Sequence, residues 1–274
     1  MTTSVHTNTS AMIALQNLNR TNDQLASTQG RVSTGLKVQG AKDNAAVWAV
    51  AQGQRADKGS LESVTTSLNR ATSIADVSLA AGEQISDLLL ELKTKATAAA
   101  DPSASAATRA SYDQEFQALL GSIGSFSANA TFDGANILDG TSTVALDFLA
   151  NADATETISV NRQDLTVAGL SLTGEDLTTE ANATAALTAV TTAITTASSR
   201  LAELGAQAKQ IERHTSFVSK LSDSLEAGIG NLVDADLAKE SARLQALQVQ
   251  QQLGVQALSI ANQAPQVILS LFQN

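Results

Sequence analysis

Apolar and small residues recur at alternating steps of three and four along most of the chain, the spacing of helices packed along a seam. One series runs Leu61, Val64, Leu68, Ala71, Ala75, Ser78, Gly82, Ile85, Leu89, Leu92 and Ala96 without a slip. At 1.5 Å per residue it predicts a helix roughly 50 Å long. Asp101-Pro102 should end it, because the residue before a proline avoids the helical region. A second series runs Leu187, Val190, Ile194, Ala197, Leu201, Leu204, Ala208, Ile211, Thr215, Val218, Ser222 and Leu225, with Gly228 and Gly230 expected to terminate the helix. Between them the pattern predicts a shorter helix presenting Tyr112, Phe116, Leu119, Ile123 and Phe126 on one face. The texture then changes. Asp133-Gly134 and Asp139-Gly140 are turn dipeptides, and 143–149 and 157–160 alternate as strands do, so 131–178 is the expected β region.

The two ends carry seams of a different kind. Leu237, Leu244 and Leu258 share a seven-residue spacing, Gln251 fills the remaining slot, and Leu247 and Val255 sit three or four residues away. The first helix, expected over Thr9 to Gly35, offers Leu15, Leu18, Asn22, Leu25, Gln29 and Val32, with Leu36 continuing the series. A helix should restart over 41–52, capped by Asp43 or Asn44, with Trp48 as a core anchor. Asn231 or Asp234 should cap the last helix, Asp236 should favour its positive end, and Glu240 and Arg243 should pair at i,i+3. The expected fold is mostly α. It is a long antiparallel helical rod, a coiled-coil bundle formed by the N- and C-terminal arms, with a small β-hairpin region at one end. Three parts are expected: terminal helices over 1–40 and 231–274, a helical body over 41–140 and 179–230, and a short variable β/loop region over 141–178.

Charge separates the arms from the rest. From Leu244 to the last residue there is no Asp, Glu, Lys, Arg or His, and the first nineteen residues hold only the amino terminus and His6. A solvated surface helix carries charge on its outer face. A membrane helix is apolar all round for about 20 residues, which the many glutamines exclude. The remaining reading is a helix pair that other protein surrounds, mobile until a partner supplies the missing apolar contact. An ordinary coiled-coil hairpin with a polar outside is the bland alternative.

Composition narrows the class. Aromatics are 3% of 274 residues, too few for a conventional globular core, whereas small seam residues suit closely packed long helices. The formal charge of −10 argues against nucleic acid and against an anionic membrane surface as partners. There is no cysteine, so no disulfide or thiol chemistry. The first residues do not read as a secretory signal, so export, if any, is expected by a route without signal cleavage.

No catalytic pattern is found. His6 and His214 are the only histidines, and His214 reads as a solvated helix residue. Carboxylates occur singly, and no zinc-protease, nucleophile-elbow or phosphate-loop motif is present, so the chain is expected to be neither an enzyme nor a cofactor protein.

Several motifs in order resemble those of bacterial flagellins. These are Thr7-Asn8, then Arg31-Val32-Ser33-Thr34-Gly35, Lys37, and Ala41-Lys42-Asp43-Asn44-Ala45-Ala46. Phe132-Asp133-Gly134 with Ile137-Leu138 resembles the family's internal turn. Asp234-Ala235-Asp236, Gln256-Ala257-Leu258, Ala261-Asn262-Gln263, Pro265-Gln266 and Leu269-Ser270-Leu271 resemble its C-terminus. Val47-Trp48 replaces the usual Gly-Leu, and Phe272-Gln273-Asn274 stands where many members end in a basic residue. Large outer domains are absent, as in the short flagellins of some alphaproteobacteria.

The resemblance implies a structural subunit of the flagellar filament, a homo-oligomer outside the cell. It implies export, unfolded and uncleaved, through the flagellar type III channel, with an export chaperone at the C-terminal region. Hook-associated junction and cap proteins would be further partners. A hook-associated junction protein, or a cytosolic coiled-coil scaffold, is the alternative. Filament-core candidates are Leu15, Leu18, Leu25, Val32, Leu36, Leu237, Leu244, Leu247, Val255, Leu258, Ile260, Leu269 and Leu271. In many flagellins an innate immune receptor grips an Arg-bearing stretch of the long helix. Here Asp87 and Leu90 stand where those arginines would be, which implies evasion of that receptor.

Overall fold

The computed structural model describes residues 7–271, with side chains as far as residue 263. Five helices and two small sheets follow in order: α1 (Thr9–Thr34), α2 (Ala45–Ala99), α3 (Ala106–Asn129), β1 (Thr131–Phe132), β2 (Ala135–Asn136), β3 (Leu146–Leu149), β4 (Thr157–Val160), α4 (Glu180–Val233) and α5 (Leu237–Leu271). They form two compact units, one of residues 1–56 and 224–274 and the other of residues 57–223. Helices α2 and α4 contribute to both.

Within the 57–223 unit, every one of the eleven α2 seam positions from Leu61 to Ala96 is buried. The α4 seam is graded. Val190, Ala197, Leu204, Ile211 and Val218, one per heptad, are fully covered, while Leu187, Ile194, Leu201 and Ala208 are half-buried. The helices approach closely where α2 has glycine, since a Cβ on Gly82 would overlap Leu201 Cδ2. Helix α3 buries Phe116, Leu120, Ile123 and Ser127. Phe126, assigned to that buried face by spacing, is exposed instead, because the drift of the apolar arc along the helix brings Ser127 inward.

Local chemistry sets the boundaries. The Asn44 side chain accepts from Val47 N at 3.1 Å and starts α2, which runs on through the stretch expected to be two helices. Ser105 caps α3, and Arg109 ties it back to α2 by donating to the Ala99 and Asp101 carbonyls. Asp133 and Gly134, both at positive φ, form the two-residue turn between β1 and β2, the left-handed pair a type I′ hairpin requires. Strands β3 and β4 pair antiparallel, Leu146 opposite Val160. Arg200 donates to the carbonyls of Asp164 and Gly169 and fixes the loop ahead of α4. In that loop Leu165, Leu172 and Leu177 are fully buried, as are Ile137 and Leu138 just after β2.

Three sequence-based expectations fail at helix ends. Gly228 and Gly230 do not stop α4, which continues through them to Val233. Glycine lowers helix propensity by only about 1 kcal/mol, and here the burial of Ile229 and Val233 outweighs it. The cap of α5 is Asp236, whose Oδ1 accepts from Lys239 N at 3.1 Å, rather than Asn231 or Asp234. Glu240 pairs with Arg31, not Arg243, because it lies on the buried face of α5. His214 is not simply solvated: its Nε2 lies 2.7 Å from the Ala150 carbonyl and its ring tilts against Phe217.

Candidate assembly interface

Within the unit of residues 1–56 and 224–274, α1 and α5 pack against each other. The turn between α1 and α2 anchors the pair. Gly35 at φ 74° closes α1, and its carbonyl accepts from Ala235 N at 2.8 Å. Lys37 N donates to Val233 O at 2.6 Å, and Leu36 bridges antiparallel to Asp234. Beneath this bridge Val38, Ala51, Ile229 and Val233 form a small core, with Leu36, Val47, Trp48 and Leu232 against it. Trp48 is therefore a partly buried anchor, as its position in the sequence suggests.

The inward face of α1 follows Leu18, Leu25, Thr28 and Val32, and that of α5 follows Glu240, Leu244, Leu247 and Leu258. Leu247 and Thr28 are buried and Leu18, Leu25, Val32, Leu36, Leu244 and Leu258 half-buried. Four of the filament-core candidates lie elsewhere. These are Leu15, Leu237, Val255 and Ile260, of which all but Ile260 are seam positions, and the seam residues Asn22 and Gln29 are exposed as well. The inward arc passes one residue to the side of Leu15, Asn22 and Gln29, through Ala14, Thr21 and Thr28. Leu269 and Leu271 lie outside the residues whose side chains are described.

Polar contacts cross the pair at three levels. Asn8 caps α1, its Oδ1 accepting from Ala11 N at 3.0 Å, while its Nδ2 donates to Ala261 O at 2.7 Å. Gln251 Nε2 donates to Asn22 Oδ1 at 2.8 Å. Arg31 Nη1 lies 3.3 Å from Glu240 Oε1, and Glu240 Oε2 is buried without a hydrogen-bond partner among the described residues. Sequence patterning alone could not find these partners, since each joins residues more than 200 positions apart.

The outer faces set large apolar residues among mostly uncharged polar ones. Met12, Ile13 and Leu15 on α1 and Leu237, Val249, Leu253, Val255 and Ile260 on α5 are exposed, Ile260 at 69% and Met12 at 64%. Large apolar groups at that exposure on a nearly charge-free pair mark a surface built for protein contact. The signal was in the sequence as apolar residues off the seam, at Ile13, Val249 and Leu253. In the other unit, Asp87 and Leu90 face outward on α2, while Ile85, Leu89 and Leu92 turn inward. Among the described residues there is no group of three metal-ligating side chains, and no helix long and apolar enough to cross a membrane.

Comparison with known proteins agrees with this surface. Residues 5–143 match the bacterial flagellin N-terminal helical region, and residues 187–272 match the bacterial flagellin C-terminal helical region. The chain is 50% identical over 271 residues to flagellin FljM of Caulobacter vibrioides, covering 98% of each. It is 39% identical over 284 residues to a flagellin of Brucella melitensis, covering 98% of this chain and 99% of that one. A crystal structure of Bacillus cereus flagellin matches with a TM-score of 0.50 at 25% identity, covering 54% of this chain and 86% of that one. Both terminal regions and full-length relatives carry the same assignment: this chain belongs to the bacterial flagellin family and is a short member of it.

Proposed function

We infer that this chain is a structural subunit of the flagellar filament, and that its α1 and α5 helices form the contacts between copies. The observation that carries the reading is the set of large apolar residues exposed on the outer, mostly uncharged faces of the α1–α5 pair. Covered by further copies, each exposed Val, Leu or Ile side chain is worth about 1.5–3 kcal/mol, enough over several residues to offset the entropy of association. In this reading 1–40 and 231–274 are the filament core, 41–140 and 179–230 the helical body, and 141–178 the short variable part. Leu15, Leu237, Val255 and Ile260 meet neighbouring subunits, while Leu18, Leu25, Val32, Leu36, Leu244, Leu247 and Leu258 hold the pair together. Export unfolded and without cleavage, chaperone binding at the C-terminal region, and contact with junction and cap proteins belong to this proposal.

The test uses Ile260→Asp and Val255→Asp. A carboxylate at an exposed position leaves the chain folded but carries an unpaired charge into the subunit contact. Circular dichroism should match the parent, and sedimentation and electron microscopy should find few or no filaments. Normal filaments from both variants would contradict the assigned surface.

We also propose weak recognition by the innate immune receptor that grips arginines on the long helix of many flagellins. Leu90 offers no donors and Asp87 reverses the charge, so a receptor acceptor loses its partner, at about 1–3 kcal/mol each. Asp87→Arg with Leu90→Arg should raise receptor binding. Parent activation equal to that of an Arg-bearing flagellin would contradict this.

A further inference from the structure

The seams of α1 and α5 repeat with the same three–four spacing, so a slide of seven residues would lay seam on seam again. The inward positions do little to forbid the slide. Ala14, Thr21 and Thr28 are small or short, and the large apolar partners are few. Yet all cross-pair contacts share one antiparallel alignment. Moving 23 residues along α1, from Asn8 to Arg31, moves 21 back along α5, from Ala261 to Glu240, and Asn22 with Gln251 falls between them. Leu18 against Gly254 obeys the same alignment: a Cβ at 254 would lie 3.2 Å from Leu18 Cδ1.

We propose that the Leu36–Asp234 bridge sets the register where the two terminal helices begin to pair, that Asn22 and Arg31 hold it along the pair through Gln251 and Glu240, and that the apolar seam does not. A seven-residue slide takes Arg31 from Glu240 and Asn22 from Gln251 at once. Arg31 leaves Glu240, whose Oε2 is already unpartnered, so the carboxylate loses its one ion pair in a buried setting. Asn22 and Gln251 each lose a partner. Asn8 keeps its capping bond, and because its amide donates to a main-chain carbonyl it adds affinity rather than register. The bridge and the two side-chain contacts lie in turn just past the end of α1, near its end and at its middle, so that stretch cannot shift piecemeal. The consequence for assembly rests on the filament reading: register decides which outer residues of α1 and α5 are presented side by side.

The chain has no cysteine, so engineered pairs report register cleanly. Thr28→Cys with Leu244→Cys shares the alignment of Leu18 with Gly254. Thr28→Cys with Leu237→Cys, and with Gln251→Cys, report slides of seven in either direction. Each pair is placed in the full chain and in a latch-free chain carrying Asn8→Asp, Asn22→Ala, Arg31→Leu and Glu240→Leu. Asp at position 8 can still cap α1, and the two leucines replace the ion pair without leaving a lone charge. Each chain is oxidised under assembly conditions, and cross-links within one chain are separated from those between chains by isotope mixing. The parent should favour the 28–244 link over both slid links by roughly tenfold or more, as loss of a buried pair implies. The latch-free chain, held only at the bridge, should form the two slid links in a clearly greater proportion than the parent. Restoring the pair with reversed charges, Arg31→Glu with Glu240→Arg, should recover most of the preference. A latch-free chain that keeps the parent's preference would overturn the proposal, because the seam or the bridge alone would then set the register along the whole pair. Loss of every link would overturn it too, because the contacts would then hold the helices together rather than align them. Failure of the parent to form filaments would speak against the filament reading and leave the link ratio readable.

Discussion

At the scale of single residues, the seams show how closely small groups are fitted. Ser78 is fully buried in the α2 seam, and its hydroxyl has no partner among the described residues. Ser78→Ala should therefore stabilise the chain by about 1–3 kcal/mol, read as a raised midpoint of thermal unfolding. Gly82→Ala should do the reverse, costing about 1–3 kcal/mol as the new methyl meets Leu201. Asp176 ahead of α4 is held below the usual carboxylate range, chiefly by the Thr178 hydroxyl, with Asn182 and the Thr178 amide adding to it. A depressed carboxylate contributes stability above its ordinary pKa and loses it as pH falls through the folded value. The chain should thus lose stability on acidification below the ordinary carboxylate range. Asp176→Asn should lose less over that interval, as measured by urea unfolding against pH.

At the scale of elements, the sequence was legible wherever burial was strong. The α2 seam of Leu61 to Ala96 is covered at every position, because the one face of a long helix that enters the core must carry its apolar and small residues. The Asp133-Gly134 turn was equally legible, since few residues adopt two successive positive φ values. The terminal helices were read less well. Their inward face holds Ala14, Thr21 and Thr28 beside Leu18, Leu25 and Val32 while Ile13 and Leu15 face out, so toward the start of α1 hydrophobicity points to the wrong side. That reversal fits helices whose largest side chains are reserved for other subunits. The end of α4 was misread because glycine is a weak stop when Ile229 and Val233 are buried. The Arg31–Glu240 pair could not be read from spacing at all. Leu247, buried between the helices, gives the test at this scale. Leu247→Asp should cost several kcal/mol within the pair. Circular dichroism should then show helix lost from the terminal segments, with residues 57–223 still folded.

At the scale of the whole molecule, charge is divided between the two units. Residues 57–223 carry twenty-one Asp and Glu against ten Lys and Arg, whereas the remaining residues carry six against seven. Copies held together by near-neutral helices must therefore bring strongly acidic units close. Screening relieves that repulsion, so the sedimenting fraction at fixed protein concentration should rise with ionic strength. The most direct test of the account is hydrogen exchange on α1 and α5 in the unassembled chain and in filaments. Backbone bonds of a half-covered helix pair open readily, and covering the outer face should close them. The predicted result is slow exchange across Thr9–Thr34 and Leu237–Leu271 only after assembly, with little change over the buried α2 seam. Equal protection of both helices before and after assembly would contradict the claim that neighbouring copies complete their fold.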